Sequence, residues 1–309
     1  TLPSVLSGDA PHFGRLVGVS APVAILVAVG AAELVDRVHL RSPSQRWVTP
    51  LLLAALFLPS LFWTTRDYFV TYANHPDLAR DFYQPDWNLG LLAAAQPDDA
   101  AIYLTPTQEE MATIYFAMRD PDRLRSFSQG DTLIPVGFPA RPILYLLRPG
   151  QEAALSNLQT LFPTNVAGGQ QDGFIPFSVS PEDDRHWPQD QVPAAMGSTI
   201  QLVGSKLQQE SGQLSATLSW QILEHEPRDL TVFVHIEDAD GQVMTQTDRP
   251  PAGYPTTEWR PGEIIVDRVD VDLPDSLAPG QYRVTTGFYY LPTLERIGEP
   301  IFLGTVDIE

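Results

Sequence analysis

The 309-residue sequence contains no cysteine, and this absence excludes several kinds of chemistry at once. Without cysteine the chain has no disulfides, no thiolate nucleophile and no cysteine-based zinc or iron–sulfur site. The six histidines form no HxxxH or HExxH pattern, and no serine lies in a GxSxG motif. The sequence therefore predicts no metal site, no cofactor and no hydrolase triad.

Basic residues are scarce as well, and the acidic excess is unevenly distributed. The formal net charge is -19; residues 1–75 carry five arginines and four acidic residues, whereas residues 76–309 carry fourteen basic and thirty-four acidic residues. A surface this acidic repels phosphate backbones, which proteins contact through clustered lysine and arginine. We therefore expect no nucleic-acid partner.

Glycine-rich phosphate loops are also missing, since neither GxGxxG nor GxxxxGK[ST] occurs. Three DxD patterns do occur, and paired carboxylates of this kind can hold a divalent metal. Each pattern also fits an ordinary local structure, which is the interpretation adopted here. These structures are a turn after a helix for Asp120-Pro-Asp122, a hairpin tip for Asp238-Ala-Asp240 and the exposed side of a strand for Asp270-Val-Asp272.

Long apolar runs are confined to the first 67 residues. Residues 16–35 (LVGVSAPVAILVAVGAAELV) hold a single charge, Glu33, and residues 47–63 (WVTPLLLAALFLPSLFW) are uncharged and end in tryptophans. About 17 to 25 apolar residues suffice to cross a bilayer. The sequence therefore predicts a membrane segment, residues 1–67, with two transmembrane helices; a pair of buried core helices is the alternative.

The connector between these runs contains Arg37, Arg41 and Arg46. Short arginine-rich loops mark the cytoplasmic side of a membrane protein. The prediction is thus a multi-pass protein of a bacterial cell membrane whose remaining residues lie outside the cytoplasm.

Two extracytoplasmic domains are predicted after the membrane segment. Residues 68–192 alternate apolar strand-like runs with helical stretches, as expected for a small α/β domain. Residues 193–309 contain about seven short runs with alternating apolar faces, separated by turn sequences, which is the pattern of an immunoglobulin-like β-sandwich. The predicted fold class is therefore a membrane-protein fragment with two transmembrane helices, an α/β domain and a β-sandwich.

Candidate binding residues lie at both ends of the chain. His12 and Arg15 precede the first apolar run, where an imidazole and a cation could contact a lipid phosphate; the alternative is an interfacial anchor. Tyr254 and Trp259 are aromatic side chains that could stack on a sugar ring in the C-terminal domain.

The order of these segments resembles the C-terminal part of bacterial multi-spanning glycosyltransferases of family 39, the relatives of protein mannosyltransferases in the GT-C membrane class. The resemblance rests on PHFGRLVGVSAPVAILVAVGAAEL, on AIYLTPTQEE, on RPILYLLRP and on the segment from VFVHIEDADG to APGQYRV. It covers nearly the whole chain.

The resemblance implies a sugar donor linked to polyprenyl phosphate, a membrane-lipid environment, and a glycan or protein acceptor. It also implies that His12 and Arg15 contact the donor phosphate and that the catalytic acid lies in an earlier part of the parent enzyme. The chain opens on Thr1 without an initiator methionine, so we expect a fragment without catalytic residues that is inactive alone. The alternatives are a membrane-tethered carbohydrate- or protein-binding module without catalytic activity and an anchored structural surface protein.

Overall fold

Most of the regular elements are strands in the part of the chain that the structure describes, which is residues 13–37, 47–105, 111–118, 120–128, 130–189, 193–210, 212–251 and 253–308. In this computed structural model, thirteen strands lie in three sheets among these residues. The chain separates into two compact units, residues 1–78 and residues 79–309.

The first unit is helical. It contains α1, Phe13–Arg37, and α2, Val48–Arg66, and the latter continues into a π-helix, Asp67–Tyr72. The prediction of two transmembrane helices is wrong for the described residues, since none of their helices is both long and apolar enough to cross a membrane.

The physical reason for this correction is the length of the apolar stretch, since an α-helix rises only roughly 1.5 Å per residue. In α2, the apolar stretch between Pro50 and Thr64 has thirteen residues and includes Pro59 and Ser60. A bilayer core is about 30 Å thick. The predicted fold class with two transmembrane helices is therefore replaced by a mainly β architecture.

The later helices and the strands are shorter. The helices are α3 Leu78–Asp81, α4 Gln84–Ala94, α5 Met111–Met118 and α6 Glu152–Leu161, with 3-10 turns at Pro121–Arg123 and Thr256–Glu258. The strands are β1 Ala101–Leu104, β2 Leu124–Ser126, β3 Leu133–Gly137, β4 Ile143–Leu147, β5 Ile175–Val179, β6 Ala194–Met196, β7 Ile200–Glu210, β8 Gln213–Ile222, β9 Thr231–Glu237, β10 Val243–Arg249, β11 Ile264–Asp272, β12 Gly280–Tyr290 and β13 Glu295–Ile308.

The first sheet has the strand order β2-β1-β4-β5, in which β1 pairs in parallel with β2 and β4, and β5 is antiparallel. Every residue of β1 and β4 is buried, as expected for strands covered on both faces. Leu89 of α4 and Ile114 of α5 pack with Ile102 on one face. Leu158 of α6 belongs to the larger core on the other face.

Two antiparallel sheets make up the C-terminal part, with strand orders β10-β9-β12-β13 and β3-β11-β8-β7-β6. A β-sandwich is compatible with this arrangement. Its core includes Trp220, which is fully buried and whose ring centroid lies 4.7 Å from that of Phe288. β3 lies before the predicted domain boundary, yet it pairs with β11 of the second sheet. The two parts of residues 79–309 thus share one sheet.

The DxD patterns take the local structures that the sequence favoured. The backbone N–H groups of Asp240 and Gln242 each donate to Asp238 Oδ1 at 2.9 Å, in the hairpin between β9 and β10. Asp270 on β11 accepts a hydrogen bond from the Ser215 hydroxyl at 2.6 Å. Their carboxylates are therefore engaged in turn and strand contacts.

Candidate functional site

The N-terminal candidate residues cannot be placed in a site. His12 lies outside the described residues. Arg15 lies in α1, but its side chain is also outside the described part. Donor-phosphate binding by this pair stays a prediction from the sequence.

Tyr254 and Trp259 lie in the core of the C-terminal part. Their side chains are 0% and 1% exposed, and the indole N–H of Trp259 donates to the carbonyl of Tyr254 at 2.9 Å. The Trp259 ring meets Phe288 edge-on at 6.0 Å. Neither aromatic ring presents an open face on which a sugar could stack.

The loop that carries these two residues is held inward by several hydrogen bonds. Thr256, which is fully buried, donates through its hydroxyl to the carbonyl of Arg228 at 2.7 Å and accepts from the N–H of Leu230 at 2.9 Å. The N–H of Ser128 donates to the carbonyl of Gly253 at 2.9 Å. A loop rich in proline and glycine is usually exposed. The two aromatic side chains of this loop are buried instead, because these long-range contacts hold the loop against neighbouring segments.

Tyr254 takes part in a buried hydrogen-bond cluster around Glu263. The hydroxyls of Tyr103 and Tyr254 lie 2.5 and 3.1 Å from Glu263 Oε1, and the N–H of Arg260 donates to Oε2 at 2.9 Å. Burial raises the pKa of Glu263 to about 8, and the two tyrosine hydrogen bonds lower it only in part. Glu263 is therefore mainly protonated at neutral pH.

A separate cleft of about 180 Å³ opens between α6 and the five-stranded sheet. Three of its lining side chains are apolar and buried, namely Ile134, Leu161 and Val266. The remaining lining side chains are polar and come from the loop before β3, from α6 and from the sheet. They are Asp131, Thr132, Asn157, Thr160, Gln208, Thr217 and Arg268.

The strand register places the polar groups of the sheet side by side. Thr217 on β8 is paired with Arg268 on β11 and with Lys206 on β7, and Gln208 lies two residues further along β7. The side chains of Gln208 and Thr217 form no hydrogen bond with another residue in the described ranges. These groups are free to bind a ligand that carries hydroxyls.

The helix side of the cleft is held in place by Asn157. Its side-chain amide donates to the carbonyls of Gly130 and Asp131 at 2.8 and 2.9 Å. Arg268 is partly neutralised, since its Nε lies 3.4 Å from Asp270 Oδ2. The cleft therefore combines an apolar floor with a rim of mixed charge, amides and hydroxyls.

The sequence did not indicate these cleft residues. Gln208 and Thr217 occupy the outward positions of alternating strands, which are polar in any antiparallel sheet with one solvated face. The only available signal was this alternation, and it does not reveal that α6 lies over the same face.

Comparison with the models of known protein families gives no match, and no curated protein matches either. Among solved structures, the chain is similar to the C-terminal domain of wzt, with 13% identity, a TM-score of 0.28 and coverage of 40% of this chain and 89% of that one.

Two further solved structures are similar over about the same share of the chain. One is a β-glucuronidase of glycoside hydrolase family 2, with 13% identity, a TM-score of 0.22 and coverage of 38% of this chain and 11% of that one. The other is a Niemann-Pick type C2 protein from the Japanese carpenter ant, with 9% identity, a TM-score of 0.24 and coverage of 38% and 100%. Likenesses at these values are too weak to indicate a shared function.

Proposed function

We propose that residues 79–309 form a carbohydrate-binding region without catalytic activity, with the cleft between α6 and the five-stranded sheet as the sugar site. The observation that carries this proposal is the combination of the apolar floor with a polar rim that has unpartnered amide and hydroxyl groups. A sugar ring offers a C–H face to such a floor and hydroxyls to such a rim.

The size of the cleft supports a single ring. Its volume of about 180 Å³ is below the roughly 300 Å³ at which sites for drug-sized ligands begin. One six-membered ring, or one residue of a longer glycan, is the ligand that this volume favours.

The charges of the rim support a neutral ligand. Asp131 and Arg268 contribute one charge of each sign, and Arg268 is already paired with Asp270. The other polar groups of the rim, such as Gln208 and Thr217, are uncharged. A neutral sugar makes hydrogen bonds to such groups without the cost of burying a charge.

The test is a titration of the full chain with a panel of neutral monosaccharides, in which binding is measured by backbone amide NMR or by calorimetry. We expect saturable binding that is weakened about tenfold, or roughly 1.4 kcal/mol, in Gln208→Ala and in Thr217→Val. Gln246→Ala and Thr305→Val, exposed positions on the other sheet, are the matched controls. Binding that is absent for every sugar, or equally weakened in the controls, would overturn the proposal.

A second proposal concerns the parent protein and is supported by the family resemblance of the sequence. The chain is then the C-terminal part of a family 39 glycosyltransferase that takes its sugar from a polyprenyl-phosphate donor, and the carbohydrate-binding region contacts the acceptor. The longer gene product should transfer a labelled sugar from such a donor. A gene that encodes no further catalytic part would contradict this second proposal and leave the sugar-binding proposal standing.

A further inference from the structure

We propose that a second, separate site binds a small oxyanion, such as a phosphate or carboxylate group. It is formed by Arg123, Arg125, Arg141 and Arg260 around the buried side chain of Glu263. All five residues line one cavity of about 70 Å³.

The cavity lies where the first sheet meets the loop before β11. Arg123 ends the 3-10 turn before β2, and Arg125 lies in β2 itself. Arg141 comes from the turn before β4, and Arg260 comes from the loop before β11. The site therefore exists only when these three segments are folded together. A volume of about 70 Å³ has room for a group of a few heavy atoms, since one water needs roughly 10 to 15 Å³ on the same measure.

Two of the four arginines have a buried N–H donor without a hydrogen-bond partner in the part of the chain that the structure describes. The Nε atoms of Arg123 and Arg125 are buried, and neither has a hydrogen-bond partner among the described residues. No ion pair joins any of the four arginines to a carboxylate in the described ranges of the chain. A buried donor without a partner is costly, and an oxyanion in the cavity would satisfy these groups.

Three of the four arginine side chains are held in place before any ligand arrives. A terminal nitrogen of Arg123 donates to the carbonyl of Gln96 at 3.3 Å, and one of Arg125 donates to the carbonyl of Leu124 at 2.8 Å. The guanidinium of Arg141 stacks on the ring of Phe138 at 4.4 Å. Side chains fixed in this way lose little freedom when they bind, which favours binding.

The charge balance of the cavity differs from that of the whole chain. Four arginines face two exposed aspartates at the rim, Asp98 and Asp99. Glu263 contributes no charge while it is protonated, and burial raises its pKa to about 8. The cavity is thus positive within a chain of net charge -19.

The class of ligand follows from this chemistry. Guanidinium groups match the geometry of carboxylate and phosphate oxygens and form strong charge-assisted hydrogen bonds with them. A neutral sugar offers no such charge. The two sites of this chain are therefore expected to select different ligands.

The test uses the folded full chain labelled with nitrogen-15, titrated with inorganic phosphate, with acetate and with glucuronate. We expect saturable shifts of arginine Nε–H resonances with phosphate, with the carboxylates or with both, and the tighter series identifies the oxyanion. Arg141→Gln and Arg260→Gln should each weaken binding about tenfold.

Arg283→Gln is the matched control, because Arg283 is an exposed arginine on β12, in the sheet β10-β9-β12-β13, and does not line the cavity. It should leave the affinity unchanged. The proposal is overturned if none of the three anions gives a saturable shift, or if Arg283→Gln weakens binding as much as the cavity variants do. Backbone spectra of each variant verify that it is folded.

Discussion

Tyr254 contributes its hydroxyl group to a buried hydrogen-bond cluster, although the sequence suggested that its aromatic ring stacks on a sugar. The ring is fully buried, and the hydroxyl lies 3.1 Å from Glu263 Oε1. Tyr103, from the first sheet, approaches the same oxygen. At the scale of the residue, the buried carboxyl of Glu263 is the feature with the clearest measurable consequence.

Replacement of Glu263 by glutamine should remove a pH dependence of stability. The folded chain keeps the proton of Glu263 up to about pH 8, whereas the unfolded chain loses it near the ordinary pKa of 4.5. Folding therefore takes up a proton within this window, so this contribution to stability is lost as the pH rises through it.

The measurement is urea unfolding of both proteins at pH 6 and pH 9, followed by tryptophan fluorescence. Between pH 6 and pH 9 the free energy of unfolding of the parent chain should fall by about 2 to 3 kcal/mol relative to that of Glu263→Gln. The reason is that each pH unit below the folded pKa contributes roughly 1.4 kcal/mol. Glu258→Gln, at an exposed position, is the control and should show no such gain. A parallel pH profile for Glu263→Gln would contradict the buried, protonated state.

At the scale of the element, the loop between β10 and β11 joins the two parts of residues 79–309. Gly253 has a φ of +68°, and a Cβ at this position would overlap the hydroxyl and carbonyl oxygens of Ser128, just after β2. Ser128 also donates its N–H to Gly253 at 2.9 Å. A side chain here would push the loop away from the first sheet.

Gly253→Ala should therefore destabilise the chain more than Gly212→Ala does. Gly212 has a similar φ of +80°, but nothing lies within 4 Å of a Cβ placed there. Both variants suffer the left-handed backbone, at about 1 to 2 kcal/mol, and only Gly253→Ala adds the steric overlap. Equal free energies of unfolding for the two variants would show that the loop can move without cost.

At the scale of the whole molecule, β3 couples the first sheet to the sandwich. It follows α5 and β2 in the chain, yet its partner is β11, with Leu133 opposite Asp267. Leu133 is fully buried and belongs to the large core that spans both parts. Residues 79–309 should therefore unfold as one cooperative unit.

Leu133→Ala tests this coupling, with an expected loss of about 2 to 5 kcal/mol in the free energy of unfolding. Amide hydrogen exchange should accelerate together in β1 and β4 of the first sheet and in β8 and β9 of the sandwich. Phe302→Ala, at a side chain that is 52% exposed, is the control. Acceleration confined to one part would indicate two units that unfold separately.

Several elements follow from the sequence alone because their signal is local. The continuous apolar runs of β1 and β4 and the alternation of apolar and polar residues in β12 are local signals of a strand. The hairpin tip at Asp238 follows from turn chemistry within four residues. The local signal is weaker in β3, which contains Pro135 and Gly137, and in β10, Val243–Arg249, which is largely polar.

The apolar runs near the N-terminus show the limit of such local signals. Hydropathy and flanking tryptophans predicted two membrane spans, whereas no helix of the described residues is long and apolar enough to cross a membrane. Composition identifies an apolar stretch, but the length of the helix and the part of it that is apolar decide whether it can span.

By itself, the sequence determined the absence of cysteine chemistry, the acidic charge and the strands with strong local patterns. Only the tertiary structure decided that Tyr254 and Trp259 are buried, that α6 covers a polar strand face, and that four arginines surround Glu263. The physical reason is distance along the chain. Tyr103 and Glu263 are 160 residues apart and yet share a hydrogen bond, and no local pattern of side chains encodes such a contact.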